Sequence, residues 1–401
     1  VLAKIGEWGG LGALLAVALA SSGVRAQADE PIKIGFAIAQ SGWMANYDVG
    51  PFQAAVLKIE EINKAGGLLG RQIQYSVIDT KTDQTLAGTA GSQLLDWGAD
   101  MLVVPTDYDY GAAAALAAQN AGKIAISPGA GDPKMGVQGV GPYVFTAHTA
   151  AQTQGIVMAE YAKKVMGLKT AYALEDVSIE YSKSGCAGYK AGWQNVGGTL
   201  VGSDTFKNDE PSIAAQITRL KSASPAPDVI FLCSYTPGGG SAVRQIRAAG
   251  IDTPIVSLTG MTDNYWLGAV PGLKDFYIPA IMSLYGDDPR PEIGKFLAAY
   301  KARWKEEPTS SFAVLGYSTI EQWAYAVEKA KTTDSQAVLA VMNQYKDQPF
   351  TVGLTSYTDQ LHIQINRPQL IMKVENGSFH AVEMYRNEFM PDMKLLFRSG
   401  Q

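Results

Sequence analysis

Hydrophobic positions along this chain fall in two alternating patterns. Short, nearly continuous apolar blocks such as IKIGFAI (32–38), MLVV (101–104) and VIFL (229–232) are separated by longer stretches whose apolar residues return at three- and four-residue spacing, as Ala55, Ile59 and Ile62 do. The blocks predict strands buried on both faces, and the spaced stretches predict amphipathic helices. The first unit predicts a strand over 32–38, a helix over 51–64 and a second strand over 72–79. That order is a crossover unit with parallel strands. The rhythm continues with helices over 84–97 and 112–121 and strands over 101–104 and 124–127. Gly66-Gly67, Gly98 and Gly122 stand where those helices must stop.

After a block at 144–146 the rhythm restarts. Helices are predicted over 152–166, 182–196, 211–222 and 241–249, and strands over 170–174, 199–205, 229–232 and 254–258. A strand over 276–284 then leads into helices over 291–305, 311–329 and 334–344. Strands over 361–365, 368–375 and 378–386 close the chain. The expected fold class is α/β, with two doubly wound lobes and a chain that crosses between them more than once, which makes a hinge. We assign 29–147 plus 286–345 to lobe 1 and 148–285 plus 346–401 to lobe 2. A mature length of about 370 residues exceeds what one core usually fills, in keeping with two lobes.

Residues 1–28 read as a secretory signal. Lys4 precedes the apolar run 9–20, and Ala26-Gln27-Ala28 has the small-x-small form of a cleavage site. The run is too short to span a bilayer comfortably. No cysteine lies near the cleavage site to carry a lipid, so no direct membrane anchor is expected, and the mature protein is expected in the periplasm. The formal net charge of −5 is spread along the chain. No Lys/Arg cluster marks a nucleic-acid face. Export permits a disulfide between Cys186 and Cys233, but two small buried thiols are the preferred expectation.

Catalytic signatures are missing. The three histidines, His148, His362 and His380, show no metal-ligand spacing. His362 and His380 are expected at exposed strand positions, whereas His148 lies near the first crossover. There is no G-x-S-x-G elbow and no P-loop. Gly238-Gly239-Gly240-Ser241 is read as a flexible turn with a serine cap rather than an anion cradle, and 136–141 as a loop. Asp79 and Asp83 are read as solvated or capping, and Asn376-Gly377-Ser378 as a β-turn. No metal, no cofactor and no enzymatic activity are expected.

Polar and aromatic residues cluster instead after predicted strand ends. The first turn holds Ser41, Gly42, Trp43 and Tyr47. Later tips hold 106–110, 127–131, 175–181, 234–236 and 259–260. In doubly wound lobes all these tips face one cleft, so a binding protein is expected.

These residues carry a resemblance. Ser41-Gly42 after the first strand, Ile62-Asn63-Lys64-Ala65-Gly66-Gly67 with Gly70, Asp79, Ser127-Pro128-Gly129-Ala130, Glu180-Tyr181-Ser182 and the segment 244–250 (RQIRAAG) resemble the type I periplasmic solute-binding proteins of ABC importers, specifically the leucine/isoleucine/valine-binding group. The resemblance covers essentially the whole mature chain. It implies two lobes joined by three crossovers that close on a small-molecule solute, an amino acid or derivative, with importer permease subunits as membrane partners and a monomeric state. Alternatives are an aromatic or heterocyclic solute, or a ligand-sensing domain working with a partner. Carried over position by position, the resemblance places Trp43 and Tyr47 in the first loop. It puts Thr106, Asp107 and Tyr108 in the loop that binds the ligand carboxylate, and Gly129, Ala130 and Gly131 in a second such loop. Tyr181 and Tyr235 become the rings of the other lobe, and Phe312 a pocket phenylalanine. Two positions depart from the family pattern. The acidic residue that holds an amino acid's ammonium falls on Thr259, which has no charge. Asp107 also sets a carboxylate where a ligand carboxylate is expected, and like charges there repel.

Overall fold

The computed structural model describes residues 30–399; the signal segment expected over 1–28 lies outside them. The first sheet is built by β1 (Ile32–Ile38), α1 (Ala45–Lys64), β2 (Ile73–Asp79), α2 (Gln84–Asp96), β3 (Met101–Val103), α3 (Tyr108–Asn120), β4 (Ile124–Ser127) and β5 (Val144–Thr146). Its strand order is β2-β1-β3-β4-β5, all parallel. The chain winds outward from β1 in both directions, so β1 and β3 flank a switch point.

The second sheet repeats the plan. Its elements are α4 (Ala151–Glu160), which runs on as a π-turn over Tyr161–Val165, then β6 (Thr170–Asp176), α5 (Glu180–Asn195), β7 (Thr199–Phe206), α6 (Ala214–Lys221), β8 (Val229–Cys233), α7 (Gly238–Ala248), β9 (Ile255–Val256) and β10 (Phe276–Ala280). Helices α8 (Pro291–Trp304), α9 (Ala313–Ala330) and α10 (Ser335–Met342) follow, and α9 lies against α1 beside the first sheet. A small hairpin, β11 (Gln348–Phe350) and β12 (Gly353–Thr355), comes next. The chain then returns to the second sheet as β13 (Gln369–Glu375) and β14 (Ser378–Tyr385), and ends in α11 (Met393–Leu396). The order β14-β13-β10-β9-β8-β6-β7 puts β6 and β8 at a second switch point, with the antiparallel pair at one edge.

The cores follow the apolar blocks. Phe36, Ile126, Phe145 and Trp323 are fully buried around the first sheet. In the second, Tyr189 of α5 stacks on Phe231 of β8 with centroids 3.6 Å apart, and Trp193, four residues on, continues the same helix face.

Several expectations are corrected. Helix α1 starts at Ala45 rather than 51 and holds Pro51 in its interior. Asp48 makes the earlier turns possible, since its carboxylate receives the Ala39 and Thr106 amides at 2.7 and 2.9 Å and pins the helix start to two strand ends. Helix α3 starts at Tyr108 rather than 112, because Asp107 caps it by accepting from the Asp109 and Tyr110 amides. Gly238–Gly240 are the first turn of α7, not a flexible turn. The segment 361–365 forms only an isolated bridge, Thr149 to Gln364, and not a strand. His362 is buried, not exposed. It stacks on Phe145 at 3.7 Å and bonds the Val144 carbonyl and the Asn343 side-chain amide at 2.8 Å each, and burial lowers its pKa to about 4. Cys186 and Cys233 form a disulfide rather than free thiols; α5 packs on β8 with the two Cα atoms 5.4 Å apart, inside the range a bridge requires. Asn376 and Gly377 do make the turn between β13 and β14, both at positive φ (52° and 77°).

Candidate functional site

Both switch points open onto one narrow cavity of about 30 Å³. The first sheet contributes Trp43 and Met44 from the turn after β1 and Tyr47 from the first turn of α1. Thr106 and Asp107 come from the turn after β3, and Gly129 from the turn after β4. The second sheet contributes Ile179 and Tyr181 from the β6–α5 junction, Tyr235 after β8 and Gly260 after β9. Phe312, at the start of α9, closes the wall. Every one of these strand ends is a carboxyl end, where the helix-bound turns leave the backbone open to a ligand.

The rings are held edge to face and tilted. Trp43 lies 5.1 Å from Tyr235 across the cleft and 5.2 Å from Tyr110, and Tyr47 lies 5.3 Å from Phe312. The two halves also bond directly. Tyr47, from the first half, donates to the Gly260 carbonyl at 2.8 Å, sits 2.6 Å from Thr236 Oγ1 and accepts from the Thr236 amide at 3.0 Å. The Glu180 amide reaches back to Asp109 Oδ2 at 2.8 Å. Lys134, Lys183 and Arg398 converge on the Glu180 side chain. Burial works to raise the Glu180 carboxyl, but the hydrogen bonds from Lys134 and Lys183 and the Arg398 charge outweigh it and pull the pKa to about 2.

Of the twelve positions singled out in the sequence, Trp43, Tyr47, Thr106, Asp107, Gly129, Tyr181, Tyr235 and Phe312 line the cavity. Four stand outside that wall. Tyr108 turns toward the core beneath the first sheet, under Lys134. Ala130 is fully buried, with its amide on Ser127 Oγ and its carbonyl receiving Thr146 Oγ1. Gly131 backs onto the Tyr181 ring, where a Cβ would approach to 2.8 Å. Thr259 bonds Gln154 Oε1 at 2.7 Å and lies 3.1 Å from the Tyr181 hydroxyl, so it positions that ring from behind. His148 belongs to the same network, 3.2 Å from Thr259 Oγ1, and burial lowers its pKa to about 3. Met44, Ile179 and Gly260 complete the lining and are not among the twelve; Ile179 and Gly260 lie within the strand-tip segments 175–181 and 259–260, and Met44 follows Trp43, but apolar and glycine residues carry no polar signal in a sequence.

Two further carboxylates, Asp48 and Asp263, are buried. Asp48 accepts from Thr106 through both amide and hydroxyl, the latter at 2.6 Å, and burial raises its pKa to about 6 against the pull of those bonds. Asp263 receives the Thr236 hydroxyl at 2.9 Å, and burial raises it from 3.8 to about 7. The folded pKa of Asp263 is the higher one. The stability it contributes is therefore complete below its unfolded value and is lost as pH rises through about 7. Asp263→Asn is expected to keep the Thr236 bond and to gain on the wild type as pH rises from 5 to 8. Urea unfolding across that range checks this, and parallel curves for the two proteins would refute it.

The sequence profile of the periplasmic binding protein family matches residues 31–378. Over 86% of its length the chain is 25% identical to a Leu/Ile/Val-binding protein homologue of Brucella melitensis, 92% of which is covered. The branched-chain amino acid transporter substrate binding protein of Streptococcus pneumoniae, solved with isoleucine, superposes with a TM-score of 0.77 at 27% identity, covering 89% of this chain and all of that one. A solute binding protein of an ABC transporter from Rhodopseudomonas palustris, solved with 3,4-dihydroxybenzoic acid, superposes with a TM-score of 0.74 at 21% identity over 90% of this chain and 96% of its own.

Proposed function

This chain belongs to the periplasmic binding protein family, and from that premise we propose that it captures a small organic solute, an amino acid or close derivative, and delivers it to the permease subunits of an ABC importer. The observation that carries this reading is the cavity itself, since one site is assembled from both switch points at once. The amino-acid assignment draws support from the Brucella and Streptococcus relatives. No helix among the described residues is long and apolar enough to cross a membrane. The protein acts in the periplasm after loss of its signal segment, as a monomer.

In this reading the lobes, 29–147 plus 286–345 and 148–285 plus 346–401, open and close about their crossovers, and solute stabilises the closed form by touching both. Covering about 200 Å² of apolar solute surface contributes on the order of 5 kcal/mol. A micromolar dissociation constant needs about 8 kcal/mol. Polar groups in the cavity supply the difference and the selectivity.

A second reading, an aromatic solute, is favoured by the five rings around the cavity. It agrees with the ligand of the Rhodopseudomonas protein.

A thermal-shift panel of amino acids, aromatic acids, amides and nucleobases tests both readings. A true solute at one hundred times its dissociation constant adds about 2.7 kcal/mol and raises the melting temperature by degrees. Trp43→Ala, at the half-buried rim, is expected to remove the shift and leave the unliganded protein folded. A full shift in that variant would move the site elsewhere.

A further inference from the structure

The cavity wall has an unbalanced chemistry. Asp107 lines it with only 5% of its surface exposed. None of the cavity-lining residues is a lysine, arginine or histidine. Its cap bonds to the Asp109 and Tyr110 amides, at 2.8 and 3.4 Å, both end on the same oxygen, Oδ1. The nearby cations are engaged elsewhere: Lys134, Lys183 and Arg398 all meet Glu180. Burial, together with the like-charged neighbours Asp109 and Asp132, pushes the Asp107 pKa up and favours its neutral acid, so the ionised form gains most from a counter-charge that the solute itself brings.

A carboxylate solute finds little here to receive it. The Thr106 amide and hydroxyl are both spent on Asp48. The Ala130 amide is spent on Ser127 and the Gly260 amide on the Tyr181 hydroxyl. A cation finds a carboxylate surrounded by ring faces and edges, in a site shielded from water, where both attractions are strongest.

We propose that the captured solute carries a positively charged head, an ammonium or amidinium, paired with Asp107 and enclosed by Trp43, Tyr47, Tyr181, Tyr235 and Phe312. This rests on the solute-capture reading and narrows it: the cation sits on the first half of the protein, opposite the place where the family resemblance puts the ammonium partner.

Benzamidine, benzamide and benzoate have one ring and nearly one shape but carry charges of +1, 0 and −1. Titration calorimetry of each into the purified protein at pH 7.5 separates charge from shape. Benzamidine is expected to bind at least tenfold more tightly than benzamide, with benzoate weakest. Asp107→Asn, which retains a good helix cap, is expected to leave the melting temperature of the free protein within a few degrees and to bring benzamidine and benzamide to within threefold of each other. Benzoate binding as tightly as benzamidine, an undiminished preference in Asp107→Asn, or no binding by any of the three would overturn the charged-head proposal. Solute capture itself would fall only if the wider panel of amino acids, aromatic acids, amides and nucleobases also produced no shift.

Discussion

Removing the Cys186–Cys233 disulfide by a double alanine substitution is expected to destabilise the protein by about 4 kcal/mol, because the bridge closes a loop of 47 residues and restricts the unfolded chain accordingly. Both sulfurs are fully buried, so alanine adds no unsatisfied polar group. The bridge also has a place in the site. Cys186 lies on α5 shortly after Tyr181, and Cys233 ends β8 two residues before Tyr235. It therefore joins the two elements that aim the second sheet's rings into the cavity, and solute affinity is expected to weaken along with stability. Urea unfolding of the wild type and the double variant measures the first effect. A loss under 1 kcal/mol would mean that packing of α5 on β8, through Tyr189 and Phe231, holds the region without help.

Arg367→Met is expected to cost about 3 kcal/mol, in the range for losing hydrogen bonds from a charged donor and leaving their buried acceptors unpaired. Arg367 is buried where the crossing segments meet. It donates to the Ala147 carbonyl at 2.8 Å, to the Leu354 carbonyl at 2.9 Å and to Thr355 Oγ1 at 2.9 Å, and no carboxylate among the described residues forms a salt bridge with it. Burial without a counter-charge lowers its pKa to about 10, still high enough to keep it charged under working conditions. One guanidinium thus ties the segment leaving the first sheet to the hairpin and to the strand that returns to the second. The fork geometry matters, so Arg367→Lys is expected to recover less than half of the loss. Chemical denaturation measures the cost. Equal stability of the methionine variant and the wild type would show that the crossovers are held by the backbone bridge at Thr149 and Gln364 instead.

Much of the architecture is legible in the sequence itself. Strand β1 and strand β4 lie where the apolar blocks end, and the glycines at 66, 67, 98 and 122 stop their helices at positive φ. Helix starts were less legible. Pro51 reads as a first-turn residue, yet α1 starts six residues earlier because Asp48 bonds to backbone from two distant strands. Likewise 361–365 has the composition of a strand, but its neighbours are crossover segments that offer a single bridge and no sheet edge.

The chain alone determined the alternation of strand and helix, the two-lobed plan and the strand tips from which the cavity-lining residues come, since each of these depends on local periodicity and on turn chemistry. Only the tertiary structure decided which tip residues face inward. Tyr108 and Asp107 are adjacent, yet one packs half-buried against the first sheet's core and the other lines the cavity, where Asp107 caps the helix that Tyr108 begins. The disulfide, the burial of His362 and the pairing of Tyr47 with Thr236 were likewise decided there. Each joins residues far apart along the chain, and such contacts depend on how whole elements pack, which no local pattern encodes.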